Sequence, residues 1–120
     1  MRIAALQASI NDLDHPSLDK AVFEDLFCWA GEPRQFSTTS ELAEAVIAEL
    51  YEQQVIASAD ISITSGNAEH PGLLHKCALS RPFIGTEIND VLHFEMSGPS
   101  IPIAICRAAV LVCRSIVSGL

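Results

Sequence analysis

Glu41, Glu44, Glu49 and Glu52 are the residues whose type and spacing best suit a chemical task, and that task is recognition. At 100° per residue the four carboxylates fall within about 140° of one helix face. Carboxylates spaced in this way can imitate phosphates, and complementary charge speeds encounter with a basic partner. No Lys or Arg occurs between Gln35 and Lys76, so none of the four has a cation one helical turn further on. The competing reading is a solvated face, because glutamate is a good helix former.

Three other sets could carry chemistry. His70, His75, Cys77 and His93 are zinc-ligand types, but tetrahedral zinc needs three or four converging ligands and their spacing matches no established pattern. A Cys77–His93–Glu95 hydrolase would need nucleophile, base and oxyanion donor in mutual reach. His93 and Glu95 share a strand face, yet there is no nucleophile elbow and no Gly-rich hole. Gly66, Gly72 and Gly85 open no helix as a phosphate loop. Arg107 and Arg114 lie on one stripe of the last helix, where pairing with Glu87, Asp90 or Glu95 competes with binding an anion. No catalytic residue, metal ligand or cofactor is therefore expected.

Charge placement sharpens the first reading. Residues 1–60 hold 11 Asp/Glu against three Lys/Arg, whereas residues 61–120 hold four of each. The formal charge of −8 thus belongs to the N-terminal half. Such a field attracts basic partners and repels nucleic acid and anionic membranes. A chain of 120 residues forms one domain, 1–120, with a core that needs no staples. Cys28, Cys77, Cys106 and Cys113 form no CxxC pair, and Cys106 and Cys113 stand about 10 Å apart along a helix. All four read as reduced core residues of a cytoplasmic protein. Met1–Ile10 makes no secretory signal. Ile101–Leu120 is the one membrane candidate, and Arg107 and Arg114 interrupt it.

The elements that must position these residues follow from periodicity. Met1–Leu13 fits either a short strand or a helix ending near Asp12–Pro16. A helix capped by Ser17 carries Leu18, Val22, Leu26, Trp29, Phe23, Phe27 and Ala30 on a wide buried stripe, with Asp19 in its first turn, and ends at Gly31 and Pro33. Thr38-Thr39-Ser40-Glu41 fits a capping box for a helix over Glu41–Gln54. Leu42, Val46, Ile47, Leu50 and Tyr51 form its buried side. The period then changes to two. Ala59, Ile61 and Ile63 alternate with Asp60, Ser62 and Thr64 in a half-buried strand, followed by a turn at Ser65-Gly66-Asn67. Leu73–Ser80 makes a second strand, broken by Arg81-Pro82, and Glu87–Met96 a third, with Ile88, Leu92, Phe94 and Met96 on one face. After Gly98-Pro99-Ser100, Pro102 suits the first turn of a last helix that is apolar almost all round.

The order predicts an α+β fold: two N-terminal helices, a three-stranded antiparallel sheet and a C-terminal buried helix in a layered α-β-α sandwich. The segment Phe36–Val46 and the run Ser97-Gly98-Pro99-Ser100-Ile101-Pro102-Ile103-Ala104-Ile105-Cys106-Arg107-Ala108-Ala109 resemble the phage ABA sandwich domain family. The likeness covers Leu18 to Cys113 in element order and is sharpest over Ala104–Ala109. Cys28-Trp29 departs from the Gly-Trp pair expected there. The resemblance implies the sandwich fold and a phage or prophage setting, and no activity.

These observations predict a non-enzymatic, acidic binding protein that blocks a basic, nucleic-acid-directed protein partner through Glu41, Glu44, Glu49 and Glu52. The alternatives are an immunity protein for a cognate toxin, a small metal- or thiol-dependent enzyme, and a self-assembling phage component. Direct nucleic-acid or membrane binding is not expected. A homodimer is compatible if the sheet or last helix leaves apolar surface uncovered.

Overall fold

Helical and strand periodicities translate into seven elements in a computed structural model, which describes residues 2–27, 34–65, 73–82 and 91–117. Helices α1 (Arg2–Asn11), α2 (His15–Leu26) and α3 (Ser40–Glu52) precede strands β1 (Ser58–Ser65), β2 (Leu73–Pro82) and β3 (Val91–Gly98), and α4 (Ile101–Val117) follows. The class is α+β: the strands form one antiparallel sheet in the order β1-β2-β3, and α4 packs against it. Two N-terminal helices become three, because the ambiguous first segment folds as α1.

The layer order differs from the expected α-β-α sandwich. Helix α4 packs on β2 and β3 and also on α1, α2 and α3, which makes α4, not the sheet, the middle layer. A helix enclosed in this way needs apolar residues around its whole circumference. From Ile103 to Cys113 every residue except Arg107 is buried. No helix among the described residues is long and apolar enough to cross a membrane. The apolarity of α4 is spent on the protein core.

Local chemistry sets the helix ends. Asp14, not Ser17, caps α2: its Oδ1 accepts from the Ser17 N–H at 2.9 Å, and hydrogen bonding from Ser17 holds the Asp14 carboxyl below its usual value. Pro16 sits within the first turn, where its missing N–H costs nothing. The helix stops at Leu26, ahead of the predicted Gly31-Pro33 terminus. Cys28, Trp29, Gly31 and Pro33 lie outside the described residues, as do Gly66, His70 and residues 83–90. Thr39, rather than Thr38, caps α3 and makes no side-chain cap bond. Thr38 instead donates to the Gln35 carbonyl at 3.2 Å, so the capping box is not formed. At α4 the Ser100 Oγ accepts from the Ile103 N–H at 3.4 Å. Gly98 lets the sheet meet this turn: a Cβ there would stand 2.8 Å from Ile103 Cγ2. Strand β2 runs on through the predicted break at Arg81-Pro82, two residues past the expected end at Ser80, with Pro82 as its last residue.

Asp19 is buried rather than displayed in the first turn. Its Oδ1 accepts from the Ser37 N–H at 2.8 Å, and the Ser37 hydroxyl lies 2.9 Å from His15 Nδ1. These bonds tie the loop before α3 onto α2. Changing Asp19 to Ala would leave the Ser37 N–H buried without an acceptor, a loss of about 1–3 kcal/mol. Urea denaturation is expected to show that loss, and Asp19→Asn, which keeps an acceptor, is expected to recover part of it.

Candidate functional site

The inward residues of α3 fix the direction of its acidic face. Ala43, Val46 and Leu50 are fully buried, where α3 meets α4. The four glutamates therefore point away from the core. Glu41, Glu44 and Glu52 are exposed; Glu49 is half-buried. The Glu49 Oε1 accepts from Gln53 Nε2 at 3.1 Å, and the same Nε2 donates to the Leu26 carbonyl at 2.9 Å. The end of α3 is thus held to the end of α2.

Two exposed small residues, Ala45 and Ala48, lie between the acids on this face. Tyr51 was expected on the buried side, but it is 44% exposed at the flank of the face. The buried arc of α3 is narrower than its apolar residues suggest: among the described residues, α4 covers most of it and α2 meets it over a smaller area. Tyrosine beside a charged face is a common anchor in protein interfaces.

Ion pairs among the described residues are Lys20–Glu24 at 3.8 Å, Lys76–Glu95 at 3.2 Å and Arg114–Asp25 at 3.1 Å. None reaches Glu41, Glu44, Glu49 or Glu52. The face is a ridge of negative charge, without an ion pair among the described residues, on a helix whose opposite side is packed into the core.

The sheet separates the other candidate sets. Cys77 pairs with Met96 and Leu79 with Phe94, and these four are buried on the side that faces α4. His75 shares their register parity. His93 pairs with Ser80 on the opposite face, with its Nδ1 2.9 Å from the Ser80 hydroxyl. Glu95 lies on that same outer face and engages Lys76. A Cys77–His93–Glu95 arrangement is therefore split across the sheet, and no three His, Cys, Asp or Glu side chains among the described residues converge on a metal position.

Burial pushes the Cys77 and Cys113 thiols up to about 12 and the Cys106 thiol up as well. Thiolate is the reactive form, so all three are chemically quiet in the fold. They are free and buried, as expected of core residues. In an alkylation experiment at about pH 8 these three are expected to stay unmodified in the native protein and to react fully in denaturant, read by peptide mass mapping. Rapid native labelling of Cys77 would show that the sheet and α4 open readily.

Arg114 pairs with Asp25 of α2, and Glu95 pairs with Lys76; the other expected partners, Glu87 and Asp90, lie outside the described residues. Arg107 engages no carboxylate among the described residues; its Nη1 donates to the Ser97 carbonyl at 2.8 Å. Burial lowers its pKa, and its Nε, like His75 Nδ1, has no hydrogen-bond partner among the described residues. The Asp19–Ser37–His15 tie and the Arg107 contact gave no signal in the sequence, because each joins residues whose proximity depends on helix packing. No protein-family model, curated protein or solved structure matches this chain.

Proposed function

We propose that this protein works by binding another protein, presenting Glu41, Glu44, Glu49 and Glu52 to a basic surface and so blocking a nucleic-acid-directed partner. The supporting observation is the acidic face of α3, which has no ion pair among the described residues, with Tyr51 exposed on its flank. Glutamates on a buried-backed helix keep a fixed spacing, which is what a surface built to receive phosphates would recognise. The short likeness over Ala104–Ala109 supports a phage or prophage setting for this role.

The test is capture of partners from host lysate with a tagged protein at about 0.1 M and about 0.5 M salt, since screening differs strongly between them. A salt-sensitive partner held by the native chain, and lost when the four glutamates become glutamine, is the expected result. Equal capture by both proteins would sink the role of this face.

A further inference from the structure

The two edges of the sheet are treated differently. At the β3 edge, α1 and α4 supply side-chain donors: Gln7 Nε2 donates to the Glu95 carbonyl at 3.1 Å and Arg107 Nη1 to the Ser97 carbonyl at 2.8 Å. Those carbonyls are two residues apart, so both point away from β2. At the β1 edge no such donor is found among the described residues. An uncovered edge is a template for another strand, and proteins that avoid pairing usually place Lys or Pro there. Strand β1, Ser58–Ser65, contains neither, and Asp60 is its only charge.

Alternation identifies the free backbone groups. Glu95 and Ser97 point outward, so Phe94 and Met96 bond to β2 through Leu79 and Cys77. Ser80, Ala78 and Lys76 of β2 then face β1 and pair with Ser58, Asp60 and Ser62. The N–H and C=O groups of Ala59, Ile61 and Ile63 are left pointing out from the sheet. By register Ile61 sits on the α4 side beside buried Cys77, yet it is 41% exposed, because α4 covers β2 and β3. The expected half-burial of β1 is thus incomplete within one chain.

We propose that β1 pairs with β1 of a second copy of this chain, antiparallel and centred on Ile61, to form one six-stranded sheet. This register places Ile61 against its own copy and Ala59 against Ile63 of the other chain, so all the outward backbone groups find partners. Inner faces stay on one side because paired residues of an antiparallel ladder share a face. Asp60 meets Ser62, and no like charges oppose. The strand's own symmetry about Ile61, apolar at 59, 61 and 63 and polar at 60 and 62, is what selects a second copy over an unrelated segment. Charge permits the pairing too: Asp60 is the only charged residue of β1, and most of the net −8 comes from residues outside this strand.

Sedimentation of the full chain between about 1 and 100 μM, with amide exchange on the same samples, tests this. The expected result is a species of twice 12.9 kDa whose Ala59, Ile61 and Ile63 amides are protected. Ile61→Lys sets like charges at the two-fold axis, and Ala59→Pro removes an outward N–H that the single chain does not use. Both variants are expected to sediment as monomers with an unchanged circular dichroism spectrum, their edge amides exchanging freely. A native protein that is monomeric throughout, even if it takes up an extended peptide from another protein, would overturn the proposal. So would a dimer that survives both substitutions.

Discussion

Replacing Leu111 with alanine is expected to lower the unfolding free energy by about 2–5 kcal/mol. Leu111 is fully buried in α4, the helix that the sheet and the other three helices all contact. Truncation removes apolar burial and leaves a cavity that packed layers on two sides cannot readily fill. The loss cannot be assigned to helix propensity, since alanine is the better helix former. A whole domain is stable by only about 5–15 kcal/mol, so the substitution takes a large share. Ile116, 40% exposed near the end of the same helix, is the control, and Ile116→Ala is expected to change stability by less than about 0.5 kcal/mol. Urea or thermal denaturation reads both. Near-equal effects at the two sites would contradict the central position of α4.

The second large effect is on recognition. Changing Glu41, Glu44, Glu49 and Glu52 together to glutamine is expected to abolish partner capture while leaving the fold intact. Rim charges act mainly on association rate and salt dependence, and four acting together exceed what one contributes. Three of them are exposed and none is ion-paired among the described residues, so their removal sacrifices no salt bridge. Among the described residues only the Glu49–Gln53 bond has an acceptor at stake, and glutamine retains a carbonyl oxygen there. Denaturation midpoints are expected to agree within about 0.5 kcal/mol. Lost binding together with a large fall in stability would point to misfolding instead. A single Tyr51→Ala change adds a separate reading of the aromatic flank, because it alters no charge.

Much of this architecture is legible one segment at a time. The three- and four-residue spacing of Ala43, Val46 and Leu50 fixes the inward side of α3, and with it the outward side of the glutamates. Alternation in β3 puts Phe94 and Met96 inside and His93 and Glu95 outside. In β2 the same rule is ambiguous, because Leu74 and Ala78 soften one face while His75 interrupts the other. That is why Cys77 and His93 could be imagined together until the register set them on opposite sides.

Sequence alone determined what depends on neighbours along the chain: the helix-then-strand order, the acidic ridge, the unreactive character of the apolar cysteine segments and the all-round apolarity of α4. Tertiary structure decided what depends on partners distant along the chain. It made α4 the middle layer, moved the α2 cap to Asp14, buried Asp19 under Ser37 and exposed Tyr51. It also guarded the β3 edge with Gln7 and Arg107, while the β1 edge has no such donor among the described residues. The physical reason is the same in each case. Periodicity says which side of an element is apolar, but only packing says how much of that side another element covers.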